Sequence, residues 1–274
     1  MFKEIFENLR QVRPLVHCIT NYVTVVDVAN AVLACGASPI MADDSGEVEE
    51  ITSICTSLVI NIGTLSKRTV PSMLLAGKQA NALSHPVVLD PVGVGASAFR
   101  TQTAFDLLNN VRFSVIRGNS SEIKTLLRQD ASTQGVDADI KDSIHEDNID
   151  QYVALAQEVS KRYHAIVAIT GAIDIVADDN QAYIIRNGHP LMSKITGSGC
   201  MLSGILGGFI GANPANILTA VAAGVATMGL SGEIAHEKML QFDGGTSTYR
   251  TFLIDAISNM NETILKRGVR IELR

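Results

Sequence analysis

The sequence predicts an α/β protein: a mainly parallel sheet with helices over both faces. Three observations carry this. Short apolar runs alternate with segments of helical periodicity along nearly the whole chain, the pattern of repeated strand–helix units. Gly, Ala, Val and Ile dominate while aromatic residues make up only 5% and tryptophan is absent, which suits closely packed parallel strands and helices. The polar and glycine-rich motifs fall at the ends of the strand-like runs, where ligands bind in such sheets. No internal repeat, low-complexity linker or composition break divides the chain, so residues 1–274 are expected to form one domain.

The elements follow in order. "MFKEIFENLRQVRP" opens as an amphipathic helix, with Phe2, Ile5, Phe6 and Leu9 on one face and a stop at Pro14. "PLVHCIT" (14–20) is strand-like. "TVVDVANAVLACG" (24–36) is helical and ends at Gly36. A short strand at 37–42 precedes a helix at 45–55, which has acidic first-turn residues and Ser45 as its candidate cap. "SLVINIG" (57–63) is a strand, and 70–83 a helix with Pro71 in its first turn. Strands at 86–93 and 113–119 alternate with helices at 103–111 and 120–129. Residues 130–146 form a polar, acidic surface excursion. A helix at 147–163, a strand at 165–171 and a hairpin turning at Asp178–Gln181 come next. Three helical segments close the chain, near 199–211, 214–238 and 247–267.

Composition narrows the function classes. Among 274 residues, 46% are hydrophobic and 18% charged, enough for a substantial core without disulfide or metal staples. The net charge of −6 and the lack of a basic stripe with interleaved aromatics argue against a nucleic-acid partner. Cys18, Cys35, Cys55 and Cys200 form no C-x-x-C pair and match no zinc spacing. The N-terminus carries no signal-peptide pattern, so a reduced, cytoplasmic setting is expected. The apolar run from Cys200 to Ala212 falls well short of the roughly 20 residues of a membrane span and is expected to be a buried helix, with no membrane partner.

Four motifs carry candidate chemistry. In "LDPVGVGAS" (89–97), Asp90 closes a strand beside a flexible loop; it can hold hydrated Mg²⁺, orient a hydroxyl or simply cap a turn. In "IRGNSSEI" (116–123), Asn119 and Glu122 have the spacing of a capping box. Arg117 just before them also suits a phosphate with its metal. In "AITGAID" (168–174), Thr170 and Gly171 end a strand, either as an ordinary exit or as a hydroxyl and amide facing a phosphate. In "KITGSGCMLSGILGGFIGA" (194–212), Gly197 and Gly199 let the backbone approach a ligand, and the amides from Gly197 to Cys200 start a helix, a ready anion site. The plainer alternative there is a glycine turn with Cys200 as a small hydrophobe. A P-loop motif and a complete dinucleotide-binding fingerprint are both missing. The histidines are scattered; His85 and His164 are expected in solvent, and His17, near a strand end, in the core or behind a site.

Taken together, these runs resemble the hydroxyethylthiazole kinase family of thiamine salvage, in the ribokinase-like superfamily. The likeness spans about residues 14–240 and rests on "PLVHCITNYVTVVDVANAVLACGASPIMADDSGEVEE", "NIGTL", "LDPVGVGAS", "RGNSSEI" and "TGSGCMLSG" in that order. It implies a ribokinase-like three-layer α/β/α sandwich and transfer of the ATP γ-phosphoryl, with Mg²⁺, to the hydroxyl of 4-methyl-5-(2-hydroxyethyl)thiazole. It also implies a homotrimer with thiazole pockets shared between subunits. By the same resemblance, Asn21, Val23 and Met41 meet the thiazole, with Gly197 beside its hydroxyl. Arg117 and Thr170 match ATP-phosphate contacts, with Asn119 beside them. Asp90 and Glu122 match the metal-side acids. Cys200 matches the family's active-site cysteine on the Gly197–Gly199 turn. Residues after 240 are less like the family, whose members tend to carry Gly-Pro-Gly-Ser-Phe there.

Two other readings stand beside this one. Hydroxymethylpyrimidine kinases and nucleotide-hydrate dehydratases share the scaffold, but typically place Asp where Cys200 stands and lack the "HCITNYVT" run. A non-catalytic ligand sensor has no use for the paired acids. A thiol is mostly protonated at neutral pH, so Cys200 is expected to position the hydroxyl and assist only weakly as a base.

Overall fold

The computed structural model describes residues 2–127 and 143–274. Among the described residues, nine strands form one sheet: β1 (Leu15–Ile19), β2 (Ser38–Ile40), β3 (Ser57–Asn61), β4 (Val87–Asp90), β5 (Val115–Gly118), β6 (Ile166–Ile169), β7 (Asp174–Ala177), β8 (Ala182–Ile185) and β9 (Ile271–Leu273). Their order is β2-β1-β3-β4-β5-β6-β7-β8-β9. The run from β2 to β6 is parallel, and β7, β8 and β9 each pair antiparallel with the strand before.

Strand side chains alternate between two cores, as the pleat requires. Val16, Cys18, Val59, Val88 and Val115 face one core; Ile19, Leu58, Ile60, Leu89 and Ile116 face the other. The first is closed by α1 (Lys3–Val12), α2 (Val25–Ala34), α8 (Ser198–Ala212), α9 (Ile217–Gln241), α10 (Thr246–Asn259) and α11 (Glu262–Gly268). The second is closed by α3 (Val48–Ile54), α4 (Thr69–Ala82), α5 (Ala98–Asn110), α6 (Ser120–Leu127) and α7 (Ile149–Tyr163). The result is the expected three-layer α/β/α sandwich. α8 packs across β1, β3 and β4, and is buried on nearly every side. α9 is long and apolar enough to cross a membrane, but 72% of its most apolar stretch is buried here, so its surface is already occupied by the core.

Several local expectations need correction. Ser45 does not cap α3: Asp44 closes the preceding turn through its Oδ1, which accepts the Gly46 amide at 2.9 Å, and its carbonyl, which accepts from Glu47 and Val48. α5 begins at Ala98, not near 103, because Ser97 caps it and its polar first turn hides the apolar period. The last helical segment breaks at Asn261, whose Oδ1 accepts the Thr263 and Ile264 amides and caps α11. β9 is too short to leave an alternation signal. His17 is wholly buried, bonded to Thr52 Oγ1 at 2.9 Å and the Ala42 carbonyl at 2.8 Å, so it joins β1 to the segments beside it. His164 is exposed as expected, but His85 is half-buried with its Nδ1 unpartnered. Most of the 130–146 excursion lies outside the described residues.

Phe209 of α8 is fully buried and meets Phe6 of α1 edge to face at 5.6 Å. Phe209→Ala is expected to lower the unfolding free energy by about 3–5 kcal/mol, read from urea denaturation followed by circular dichroism.

Candidate active site

The parallel strands end on one edge, and the register there sets the site. β3 and β4 pair so that Asn61 and Asp90 are neighbours at their carboxyl ends. Asp90 is completely buried. Its Oδ2 accepts Asn61 Nδ2 at 2.7 Å and Ser203 Oγ at 2.7 Å, while Arg117 Nη1 lies 3.4 Å away. Burial raises the Asp90 carboxyl above its ordinary range, and Arg117 and the two hydrogen bonds oppose this. Arg117 Nη2 donates to Thr170 Oγ1 at 2.7 Å, so two of the sequence-predicted residues are joined directly.

The turn into α8 fits closely above these groups. Gly197 sits at φ +83, and a Cβ there would fall 2.5 Å from Thr24 Cγ2. A Cβ on Gly199 would fall 2.6 Å from the Arg117 guanidinium. Glycine is required at both: the first for its left-handed backbone, the second because the guanidinium packs against the helix start. Cys200, one residue on, is 8% exposed, and its Sγ accepts Asn61 Nδ2 at 3.3 Å and Asn21 Nδ2 at 3.6 Å. Burial, and then the Asp90 carboxylate, raise the thiol above its ordinary value; Thr24, Arg117 and Asn61 pull the other way without reversing it. The net shift is upward, so Cys200 is a neutral thiol at pH 7.

The Asn119–Glu122 pair is a capping box in fact: Asn119 Oδ1 accepts the Glu122 amide at 2.9 Å, and Glu122 Oε2 accepts the Asn119 amide at 2.8 Å. Glu122 does more than cap. Its Oε1 accepts the Gly93 amide at 2.8 Å, pinning the loop after β4. Burial and the neighbouring Asp90 raise Glu122 to about 7. Asp90 and Glu122 offer the oxygen donors that Mg²⁺ prefers, and their mutual repulsion favours a cation between them. Since backbone amides hold both Glu122 oxygens, and no cluster of three ligating side chains occurs among the described residues, the pair fits a hydrated ion held through water.

Arg117, Asn119, Thr170 and Gly199 line a cavity of about 670 Å³, together with Asp174, Val225 and Met228. Asn21, Val23 and Met41 do not line it. Asn21 reaches Cys200 from the end of β1 and its Oδ1 accepts the Val23 amide at 2.9 Å. Val23 is 67% exposed, and Met41 is half-buried against the first core. A second cavity of about 580 Å³ opens at the opposite edge of the sheet, beside His85 and His164 and away from this chemistry. Sequence reasoning missed Asn61, Ser203 and Asp174. Asn61 had a signal, since it ends the strand next to Asp90's; Ser203 had one in its position one helical turn past Gly199.

A three-layer sandwich with a buried acid at the end of a central strand, a guanidinium beside it and a glycine-led helix start over both has a ribokinase-like fold. A ribokinase-like superfamily protein from Enterococcus faecalis shares that fold, with a TM-score of 0.62 at 12% identity over 96% of this chain and 88% of that one. The hydroxyethylthiazole kinase family model matches residues 6–263, and the chain belongs to that family. It is 55% identical to a hydroxyethylthiazole kinase of Clostridium acetobutylicum over 99% of both chains. The solved hydroxyethylthiazole kinase of Pyrococcus horikoshii aligns with a TM-score of 0.88 at 33% identity, covering 99% of this chain and 98% of that one. The family match thus continues past residue 240, where the sequence resemblance was weaker.

The folded value of Glu122, about 7, lies above its ordinary 4.5. Its contribution to stability is therefore complete below about 4.5 and is lost as pH rises through about 7. Without nucleotide or metal, the midpoint of thermal unfolding is expected to fall across that window. Glu122→Gln is expected to flatten part of the fall; an identical slope would contradict a buried, protonatable Glu122.

Proposed function

We propose that this chain transfers the γ-phosphoryl of Mg-ATP to the primary hydroxyl of 4-methyl-5-(2-hydroxyethyl)thiazole, for thiamine salvage. The observation that carries this is the meeting of two half-sites at one helix start: the Arg117–Thr170–Gly199 cavity on one side, and the Asn21–Cys200 contact on the other. ATP occupies the cavity, with Arg117, Thr170, Asn119 and the α8 amides around its phosphates. Asn21, Val23 and Met41 meet the apolar thiazole, and Gly197 lies beside its hydroxyl. Asp90 and Glu122 would hold hydrated Mg²⁺, which would supply charge neutralisation for the transferred group.

The residues then act mainly by placement. Arg117 is fixed by Asp90 and Thr170 before any substrate arrives, so its charge needs little reorganisation. Cys200 Sγ already accepts from two asparagines, which leaves its S–H to donate to the substrate oxygen and orient it. Phosphoryl transfer through a loose transition state depends little on early removal of the hydroxyl proton. A neutral thiol is therefore sufficient, and Cys200 is an orienting group more than a base.

A homotrimer with shared pockets is part of the same reading. Val23 at 67%, Val26 at 64% and Tyr22 at 54% exposure leave the thiazole side open and apolar in a single chain, and a neighbouring subunit would close it. The expected setting is the cytoplasm, with no nucleic-acid or membrane partner.

Coupled ADP release should show turnover with the thiazole alcohol and little with hydroxymethylpyrimidine or ribose; no turnover with the thiazole alcohol under Mg-ATP would overturn the reading. Cys200→Ala should keep measurable activity, with kcat reduced by less than about 100-fold. Complete loss in a folded variant would make Cys200 an essential base. Light scattering at micromolar concentration should report a trimer, against a monomer that would contradict the shared pocket.

A further inference from the structure

The nucleotide-side cavity has a carboxylate on its wall that takes no part in the Asp90 cluster. Asp174 opens β7 and is nearly buried. Its Oδ1 accepts the Gly171 amide at 2.9 Å and so closes the turn that presents Thr170. Its Oδ2 accepts no hydrogen bond among the described residues. A polyphosphate entering beside Arg117, Thr170 and Gly199 meets this carboxylate, and like charges on one cavity disfavour each other.

The surrounding groups do not cancel its charge. Arg117 on β5 has a field that reaches Asp174, but it is bonded to Asp90 and Thr170. β6 carries no ionisable side chain, and on β8 the one ionisable side chain is Tyr183, paired opposite Val176. On α7, Asp150 pairs with Arg274, Arg162 donates to the Leu127 carbonyl, Tyr152 meets Lys124, Tyr163 donates to the Leu126 carbonyl and Glu158 is exposed, while Lys161 lies at the other edge of the sheet. α9 turns Val225 and Met228 to the cavity; farther along, Glu233 pairs with Arg270, Glu237 is exposed, and Lys238 lies near the helix's C-terminal end. His189, on the 3₁₀ turn Pro190–Lys194's leading edge, stacks on His236 of α9 at 3.7 Å; burial and then His236 lower its proton affinity, with Glu233 opposing, so its charged form is disfavoured. Lys194 on that turn is exposed. No three ligating side chains gather among the described residues, so a cation has no cage at Asp174. Burial, offset in part by the Gly171 amide and Arg117, raises its carboxyl to about 7.

We propose that Asp174 is a nucleotide-positioning residue that acts as the neutral acid: Oδ1 holds the Thr170–Gly171 turn, and a proton taken from solvent onto Oδ2 is donated in a hydrogen bond to a phosphate oxygen. Binding of the nucleotide then takes up a proton. This rests on the ATP reading above. Glu122 also titrates in this range, so the comparison is with Asp174→Asn, which keeps an oxygen for Gly171 and a permanent donor for the phosphate.

Mg-ATP is titrated into the full-length protein by calorimetry, in buffers of different ionisation enthalpy, from pH 6 to pH 8.5. Wild type is expected to take up more protons than Asp174→Asn, by up to one per site, near pH 8. Its affinity should weaken about tenfold between pH 6 and pH 8, as the neutral fraction falls, with a flatter profile in Asp174→Asn. Equal proton uptake in the two proteins overturns the proposal. So does an Asp174→Asn affinity that is lost at every pH, which would mark a carboxylate needed in its charged form. If wild type binds no Mg-ATP at any pH, the kinase reading fails first and the proposal falls with it.

Discussion

One buried carboxylate organises the rest of the site. Asp90 is joined to β3 through Asn61, to β5 through Arg117 and to α8 through Ser203. An isolated charge in that position would be strongly disfavoured, and removing any one partner would expose the others to an uncompensated ion. The consequence is geometric as much as energetic. Three separate segments of chain are held to one oxygen pair, so the end of the sheet and the start of α8 cannot drift apart without breaking charged hydrogen bonds.

That constraint also links the two halves of the pocket. Asn61 donates to both Asp90 and Cys200, while Arg117 reaches both Asp90 and Thr170. The Asn21–Cys200 side and the Arg117–Thr170 side therefore share one network. Gly199 completes it, because only the absence of a side chain lets the guanidinium lie against the helix start. Positive charge from Arg117 and partial positive charge from the α8 amides then converge on the same small volume. The arrangement favours an anion that arrives there and is already in place before it does.

Much of this architecture was legible because burial leaves a pattern. Parallel strands covered on both faces read as apolar runs, and the helices between them show their period, so strand identity and the sandwich follow from 57–63, 86–93 and 165–171. Motif residues at strand ends were legible for the same reason. What escaped was set by tertiary pairing or by polar local structure. Asn61 and Ser203 matter because folding brings them to Asp90, and a strand-end position and a place one turn past Gly199 mark them only once that pairing is known. The start of α5 is written in Ser97 and polar residues, where a hydrophobic period has nothing to mark. Glu122 shows a different limit: capping and metal support looked like alternatives, yet the same carboxylate caps α6 and ties down the Gly93 loop.

The thiol at position 200 follows from the charges around it. Asp90 and Glu122 already place two acids in a dry region whose main countercharge is Arg117, and each is pushed above its ordinary range. A third carboxylate at position 200 would stand in the same field that raises the thiol, and would also compete with Asp90 for the single Asn61 amide. A thiol avoids both conflicts: it stays neutral, accepts weakly from Asn21 and Asn61, and fits between them and Thr24 without a counterion. Cysteine therefore keeps a polar, orienting group at the helix start while leaving the positive charge of Arg117 and the α8 amides for an incoming anion.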